Sequence, residues 1–187
     1  MPIKSIIRAL GLVLVSAAPG VQGDAGPATH CFIGCPSEGR EFRDALLAAI
    51  DQADQIVVTE HSSPWDAFDA ELNRSLIEQE FEYARVSLSS EQETRFRDIV
   101  AQVDPATQNW ASACIPAFHH TVRFYQAGIL KSTLQICFEC SQVRWDGIKG
   151  VTPPGAIYQS LEQAITSVGL NPKRKWSALA RQRLAAN

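Results

Sequence analysis

The chain has 187 residues, carries 17 Lys and Arg against 20 Asp and Glu for a formal charge of −3, and is 45% apolar and 20% charged. These proportions belong to a folded globular chain and exclude a disordered tail, a collagen-like repeat and a coiled-coil rod. A slightly acidic total also excludes a nucleic-acid binder of the strongly basic kind, so no nucleic-acid partner is expected.

The first 23 residues have the three parts of a secretory signal peptide. Lys4 and Arg8 supply the positive start, and Ala9 to Ala18 is an unbroken apolar or small run. That run is too short to cross a bilayer, which needs about 20 helical residues. Pro19 and Gly20 break it, and small residues near Gly23 offer a cut. Residues 1–23 are therefore expected to be removed, leaving 24–187 as a single α+β domain, periplasmic or secreted, with no integral membrane segment. Charge in that domain is uneven. Residues 24–162 hold ten basic and twenty acidic side chains, whereas 163–187 hold Lys173, Arg174, Lys175, Arg181 and Arg183 and no acid. Such a basic end either packs on its own acidic body or receives an acidic partner.

Periodicity gives the elements in chain order. Ser37 to Asp51 reads as a helix with Phe42, Leu46, Leu47 and Ile50 on one stripe, and Gln55 to Thr59 as a short strand. From Trp65 the apolar residues Phe68, Leu72, Leu76, Ile77 and Phe81 recur at helical spacing. Ser90 with Glu93 reads as a capping box opening a helix with Phe96, Ile99, Val100 and Val103, closed by Asp104-Pro105. Pro153-Pro154-Gly155 precedes another helix, with Ile157, Leu161, Ile165 and Val168 inside and Gly169 as its C-cap. A last short helix is expected around Trp176, Leu179 and Leu184. The fold class is α+β: a small antiparallel sheet centred on a hairpin at 118–138, packed by about four helices.

The hairpin carries the most information. Phe118, Val122 and Phe124 alternate with polar residues, as do Leu130, Leu134, Ile136 and Phe138. A three-residue loop at Gln126-Ala127-Gly128 pairs residue i with 254−i and places both apolar sets on one face. Extended outward, this register sets Cys114 opposite Cys140, close enough for a disulfide. Cys137 has the opposite parity and becomes the odd thiol of five. Cys31 and Cys35 could join each other. Spacing alone leaves fifteen ways of pairing four of the five cysteines.

Three functions compete for these residues. The first is a non-enzymatic binding or structural module stapled by disulfides at Cys114, Cys140, Cys31 and Cys35, with no cofactor. The alternative is a zinc or copper site built from Cys114, Cys137, Cys140 and His119, since thiolates and imidazole suit either metal. The lesser alternative is thiol–disulfide exchange through Cys137 and Cys140, although that pair does not open a helix as a redox CxxC does. Among the histidines, His120 falls on the apolar parity and is expected as a hydrogen-bonded core residue. His119 falls on the polar parity and is the better functional candidate, with an exposed surface position as the default. His61 is placed to meet Asp66 or Asp69, and His30 sits in the approach to Cys31. No phosphate-binding glycine loop, serine elbow or metalloprotease helix is present, so the chain leans away from an enzyme. The stretch Cys114…His119-His120…Cys137-Phe138-Glu139-Cys140 resembles hairpins of uncharacterised secreted bacterial proteins over about 30 residues. The resemblance implies export and a cysteine hairpin acting as a unit, and no activity.

Overall fold

The structure is a computed structural model that describes residues 35–110 and 112–186. The signal-peptide expectation, His30 and Cys31 lie outside the described residues. Four α-helices and a five-stranded antiparallel sheet account for most of the described chain, with a two-stranded ribbon added. Helix α1 spans Pro36–Gln52, with Pro36 in its first turn, where the missing N–H costs nothing. It buries Phe42, Leu46 and Ile50 on one stripe. Strand β1, Gln55–His61, follows after two residues and runs two positions beyond the expected strand.

Trp65 to Phe81 is not a helix. Pro64–Ala67 forms a single 3-10 turn, and Phe68–Asp69 (β2) pairs with Arg74–Ser75 (β3) as a ribbon. Local turn chemistry defeats the helical spacing here. The Asp69 carboxylate accepts from the N–H groups of Glu71 and Leu72, and Asn73 sits in the left-handed region at φ 47°. Phe68, Leu72 and Leu76 consequently remain exposed and only Ile77 of the set is buried. A strand that periodicity missed, β4 (Glu82–Ser87), then returns along β1.

Helix α2 spans Ser90–Ala101. Its capping box is one residue earlier than Ser90/Glu93: Ser89 accepts from the Gln92 N–H, and Gln92 Oε1 accepts from the Ser89 N–H. Strands β5 (His120–Gln126), β6 (Ile129–Cys137) and β7 (Gln142–Trp145) complete the sheet in the order β4-β1-β5-β6-β7. Helices α3 (Ile157–Ser167) and α4 (Trp176–Ala185) close the chain. The α+β expectation holds, with four helices that do not include the one expected at Trp65.

The hairpin register is 256−i rather than 254−i: His120 faces Ile136, Val122 faces Leu134 and Phe124 faces Ser132. Gln126 faces Ile129, so the loop is the two residues Ala127-Gly128, both at positive φ (52° and 73°). A two-residue loop alone would turn the apolar side of one strand to the polar side of the other. An irregularity between Phe124 and Tyr125 takes up the extra residue and restores even-to-even pairing. Val122, Phe124, Leu134 and Ile136 are accordingly all in the core, while Leu130, shifted to the tip, is exposed. Ala127 carries a left-handed backbone that costs an alanine about 1 kcal/mol or more. Ala127→Asn is therefore expected to stabilise the protein by about 1 kcal/mol in urea melts, since Asn tolerates that region.

The main core joins α1, α2 and α3 to the Ile56, Val58, Val122, Phe124, Leu134 and Ile136 face of the sheet. The segment between α2 and β5 is held between two helix starts. Gly155 N–H donates to the Thr107 carbonyl, and Ala156 N–H to the Thr107 hydroxyl. A Cβ on Gly155 would strike the Gln108 carbonyl, and one on Gly39 the Pro105 carbonyl. These close approaches require glycine at both positions.

Candidate functional site

Nearly all the buried polar residues lie at one end of β1 and β5. Thr59, Glu60, His61, Ser62, Ser63 and Asp66 come from β1 and the turn after it, and His119, His120 and Thr121 from the start of β5. The second face of the sheet is covered there by the 3-10 turn and α4, which bury Ala67, Ile77 and Ala180 together. Trp176 closes the corner. Its ring stacks on His119 with centroids 4.3 Å apart at 6°, and meets His120 edge-on at 5.5 Å.

His119 is buried rather than exposed, and it takes the partner expected for His61. Its Nε2 lies 2.8 Å from Asp66 Oδ1, with both side chains at most 6% exposed. Asp66 Oδ2 accepts from the Ser63 N–H at 2.8 Å, so both carboxylate oxygens are engaged. A carboxylate at Nε2 requires the proton on that nitrogen, which leaves the neutral ring with an Nδ1 lone pair. An imidazole fixed in this way can accept a proton or a hydrogen bond from a ligand, or bind an anion when protonated. His61 instead bonds Thr121 Oγ1 through Nε2 at 2.7 Å and the Ser62 carbonyl through Nδ1 at 3.0 Å.

His120 is buried, as its parity predicts. Neither ring nitrogen makes a hydrogen bond of good geometry; the Asn171 backbone is its nearest hydrogen-bonding neighbour, and Glu60 Oε1 lies 4.0 Å from Nε2. Burial, and then the neighbouring His119 and His61, depress its pKa to about 3. The ring is therefore neutral in the folded protein. Because the folded pKa lies below the unfolded value of about 6.5, the unfolded chain takes up the proton first as pH falls. Stability attached to this residue is complete above pH 6.5 and is lost as pH drops toward 3. Over roughly pH 6 to 4 it should account for about 1.4 kcal/mol per pH unit. Urea melts of His120→Phe should show a shallower acid decline, by about one proton; an unchanged slope would refute the assignment.

Glu60 is fully buried. It accepts a hydrogen bond from the Asn171 N–H and pairs with Arg174, whose Nε is 2.8 Å from Oε2. Lys173 pairs with Glu162 at 2.7 Å. Two of the five basic residues near the C-terminus are thus neutralised by their own domain. Lys175, Arg181 and Arg183 have no ion-pair partner among the described residues.

Beside this cluster is an open cleft of about 600 Å³, walled by His119, Trp176, Arg174, Lys175 and Arg181, with the carboxylates of Asp66 and Glu139 also on its lining and Trp65 and Ile115 on it as exposed apolar groups. The first turn of α4 faces it through Ser177 and Ala178. That turn has Lys175 as its N-cap, no side-chain cap and no acidic residue. Cations therefore gather at the positive end of a helix in which the Ala178 N–H donates to the Lys175 carbonyl at 3.0 Å, leaving the Trp176 and Ser177 N–H groups without an intrahelical acceptor. Periodicity does not reveal this site because its parts are far apart in sequence and the spacing from Trp65 onward places Asp66 on a helix. The basic tail and the His119 parity were the only signals.

The cysteines take a different arrangement from a metal or redox site. Cys114 and Cys140 are bridged with Cα atoms 5.9 Å apart, Cys137 is a buried free thiol, and Cys35 is disulfide-bonded. The bridge forms despite the corrected register, because Cys114 lies in the irregular approach to β5 and Cys140 in the turn between β6 and β7. With two of the four proposed ligands joined to each other and His119 bonded to Asp66, Cys114, Cys137, Cys140 and His119 do not fit a zinc or copper ion. Among the described residues no group of three His, Cys, Asp or Glu side chains is arranged to hold a metal. Cys137 and Cys140 are likewise not joined, so the exchange pair is not assembled. No described helix is long and apolar enough to cross a membrane. No family model, curated protein or solved structure matches the chain.

Proposed function

We propose that the chain is an exported, disulfide-stapled binding module whose ligand site is the cleft between α4 and the start of β5, and that its ligand presents an anionic group there. The supporting observation is the division among the basic residues. Lys173 and Arg174 are paired within the domain, whereas Lys175 and Arg181 stand unpaired on the cleft beside an uncapped helix start. An anion would complement both the side-chain charge and the helix terminus. Export is supported by the charged and apolar start of the sequence and by the Cys114–Cys140 bridge, which persists in oxidising compartments.

The test is an NMR titration of isotope-labelled protein with inorganic phosphate. Shifts are expected at the His119 ring and the Trp176 and Ser177 amides, and should vanish in Lys175→Glu/Arg181→Glu. Shifts confined to other faces, or unchanged in that variant, would remove the proposal.

A further inference from the structure

We infer that the chain has a second ligand site, for a small aromatic carboxylate, in a cavity between α1 and the hairpin-tip end of the sheet. It lies on the helix-covered face and is independent of the α4 cleft. Two rows at four-residue spacing run side by side on α1. Phe42, Leu46 and Ile50 fill the core, whereas the row beside them is Ala45, Ala49 and, at the C-cap, Ala53. The sheet opposite is equally bare. Leu134 of β6 pairs with Trp145 of β7, and the Asp146 N–H continues that ladder by donating to the Thr133 carbonyl. The next step sets Ser132 opposite Gly147, with Phe124 facing Ser132 from β5. Small residues on both sides leave a cavity of about 340 Å³. An apolar cavity of about 150 Å³ already admits benzene. This one has room for a single ring with a short polar arm.

Ser132 argues for an occupant. It is 7% exposed, shares the parity of Leu134 and Ile136, and lines the cavity. Its hydroxyl makes no hydrogen bond to a described residue. A buried hydroxyl requires a partner, so whatever fills the cavity supplies it. The remaining walls select the body of the ligand. Phe124 and Trp145 lie across the cavity from the alanines, 1% and 9% exposed. Gly147 sits against the indole edge that carries Nε1, where a Cβ would strike the ring, and that N–H also lacks a partner. Aromatic walls facing methyl groups fit a flat apolar group. Charge selects the arm. Lys131 is exposed, has no ion-pair partner among the described residues, and is the one charged residue on the lining; no Asp or Glu lines it. A carboxylate complements that cation and accepts from the Ser132 hydroxyl, whereas an ammonium would be repelled.

The experiment titrates benzoate, benzamide and benzylamine into the intact isotope-labelled protein at pH 7, followed by NMR. The three probes carry an anionic, a neutral and a cationic arm on one ring. Benzoate is expected to shift the Trp145 indole N–H and the Ala49 and Gly147 amides. It should bind at least threefold more tightly than benzamide and at least tenfold more tightly than benzylamine. Lys131→Met, a change at an exposed side chain, should bring benzoate down to the level of benzamide, and Ser132→Ala should weaken both. Ala49→Leu fills the cavity and should abolish binding; if that variant does not fold, Lys131→Met and Ser132→Ala carry the test. Benzamide or benzylamine binding as tightly as benzoate, or an unchanged preference in Lys131→Met, would overturn the carboxylate. Unchanged affinity in Ser132→Ala would overturn the role given to its hydroxyl. Benzoate shifts that are absent, or confined to His119 and the α4 amides, would overturn the site.

Discussion

Cys114→Ser and Cys140→Ser are each expected to lower the stability of the protein by about 3.5 kcal/mol. The bridge joins residues 26 apart. Closing a loop of that length restricts the unfolded chain by about that amount in the chain-entropy treatment. Because either substitution already opens the loop, the double variant should cost little more than a single one. Cys137→Ser removes no cross-link. It places a hydroxyl where a buried thiol stood, at a cost of about 1 kcal/mol. Urea melts under non-reducing conditions measure all four. A Cys137→Ser penalty equal to the other two would contradict the assignment of Cys137 as the free thiol.

Trp176→Ala should cost about 3–5 kcal/mol, the range for deleting a buried aromatic side chain. The ring is 4% exposed and touches His119, His120 and Tyr83, so it joins the first residue of β5 and the histidine before it to α4. Its loss removes most of what seats α4. Alongside Trp176 only Ala180 of that helix is buried. Hydrogen exchange should therefore show α4 and the Pro64–Ala67 turn losing protection first, with β5 and β6 retaining theirs. Trp176→Phe keeps a flat surface against His119 and should cost about half as much. A penalty under about 1 kcal/mol for the alanine variant would show that the corner is held by something else.

The helix-facing half of the molecule was legible in the sequence, because one physical pattern governs it. Phe42, Leu46 and Ile50, then Val122, Phe124, Leu134 and Ile136, follow the periods of a helix stripe and a half-buried strand, and each is in the core. The opposite half obeys no such period. Thr59, His61, His119 and Thr121 look like an exposed polar face, yet all four are buried, His119 against Trp176 of α4, more than 50 residues later. A turn built by Asp69 and Asn73 outweighed the spacing of Phe68, Leu72 and Leu76, since side-chain bonds to the backbone act locally while a helix there had no apolar surface to meet. The candidate site lies in that second half, so the residues that build it were visible while their meeting was not. His119, just before β5, has the parity of an exposed residue, and the fold buries it. Its partner Asp66 reaches it from a 3-10 turn that helical spacing does not reveal.

The glycine pair at 39 and 155 has a consequence for how this chain can vary. Each lies against a backbone carbonyl of the segment crossing from α2 to β5, where no side-chain rearrangement can make room. A substitution at either position must move a helix start or that segment, and with it the approach to Cys114 and His119. By contrast, Gly128, Gly150 and Gly169 have open space where a side chain would go and need glycine or asparagine only for their backbone angles. Descendants and relatives of this sequence should therefore drift between glycine and asparagine at those three positions while keeping glycine at 39 and 155. A lineage that lost either one should show a compensating insertion or deletion between 102 and 112, which makes these two hydrogen atoms the least negotiable part of its ancestry.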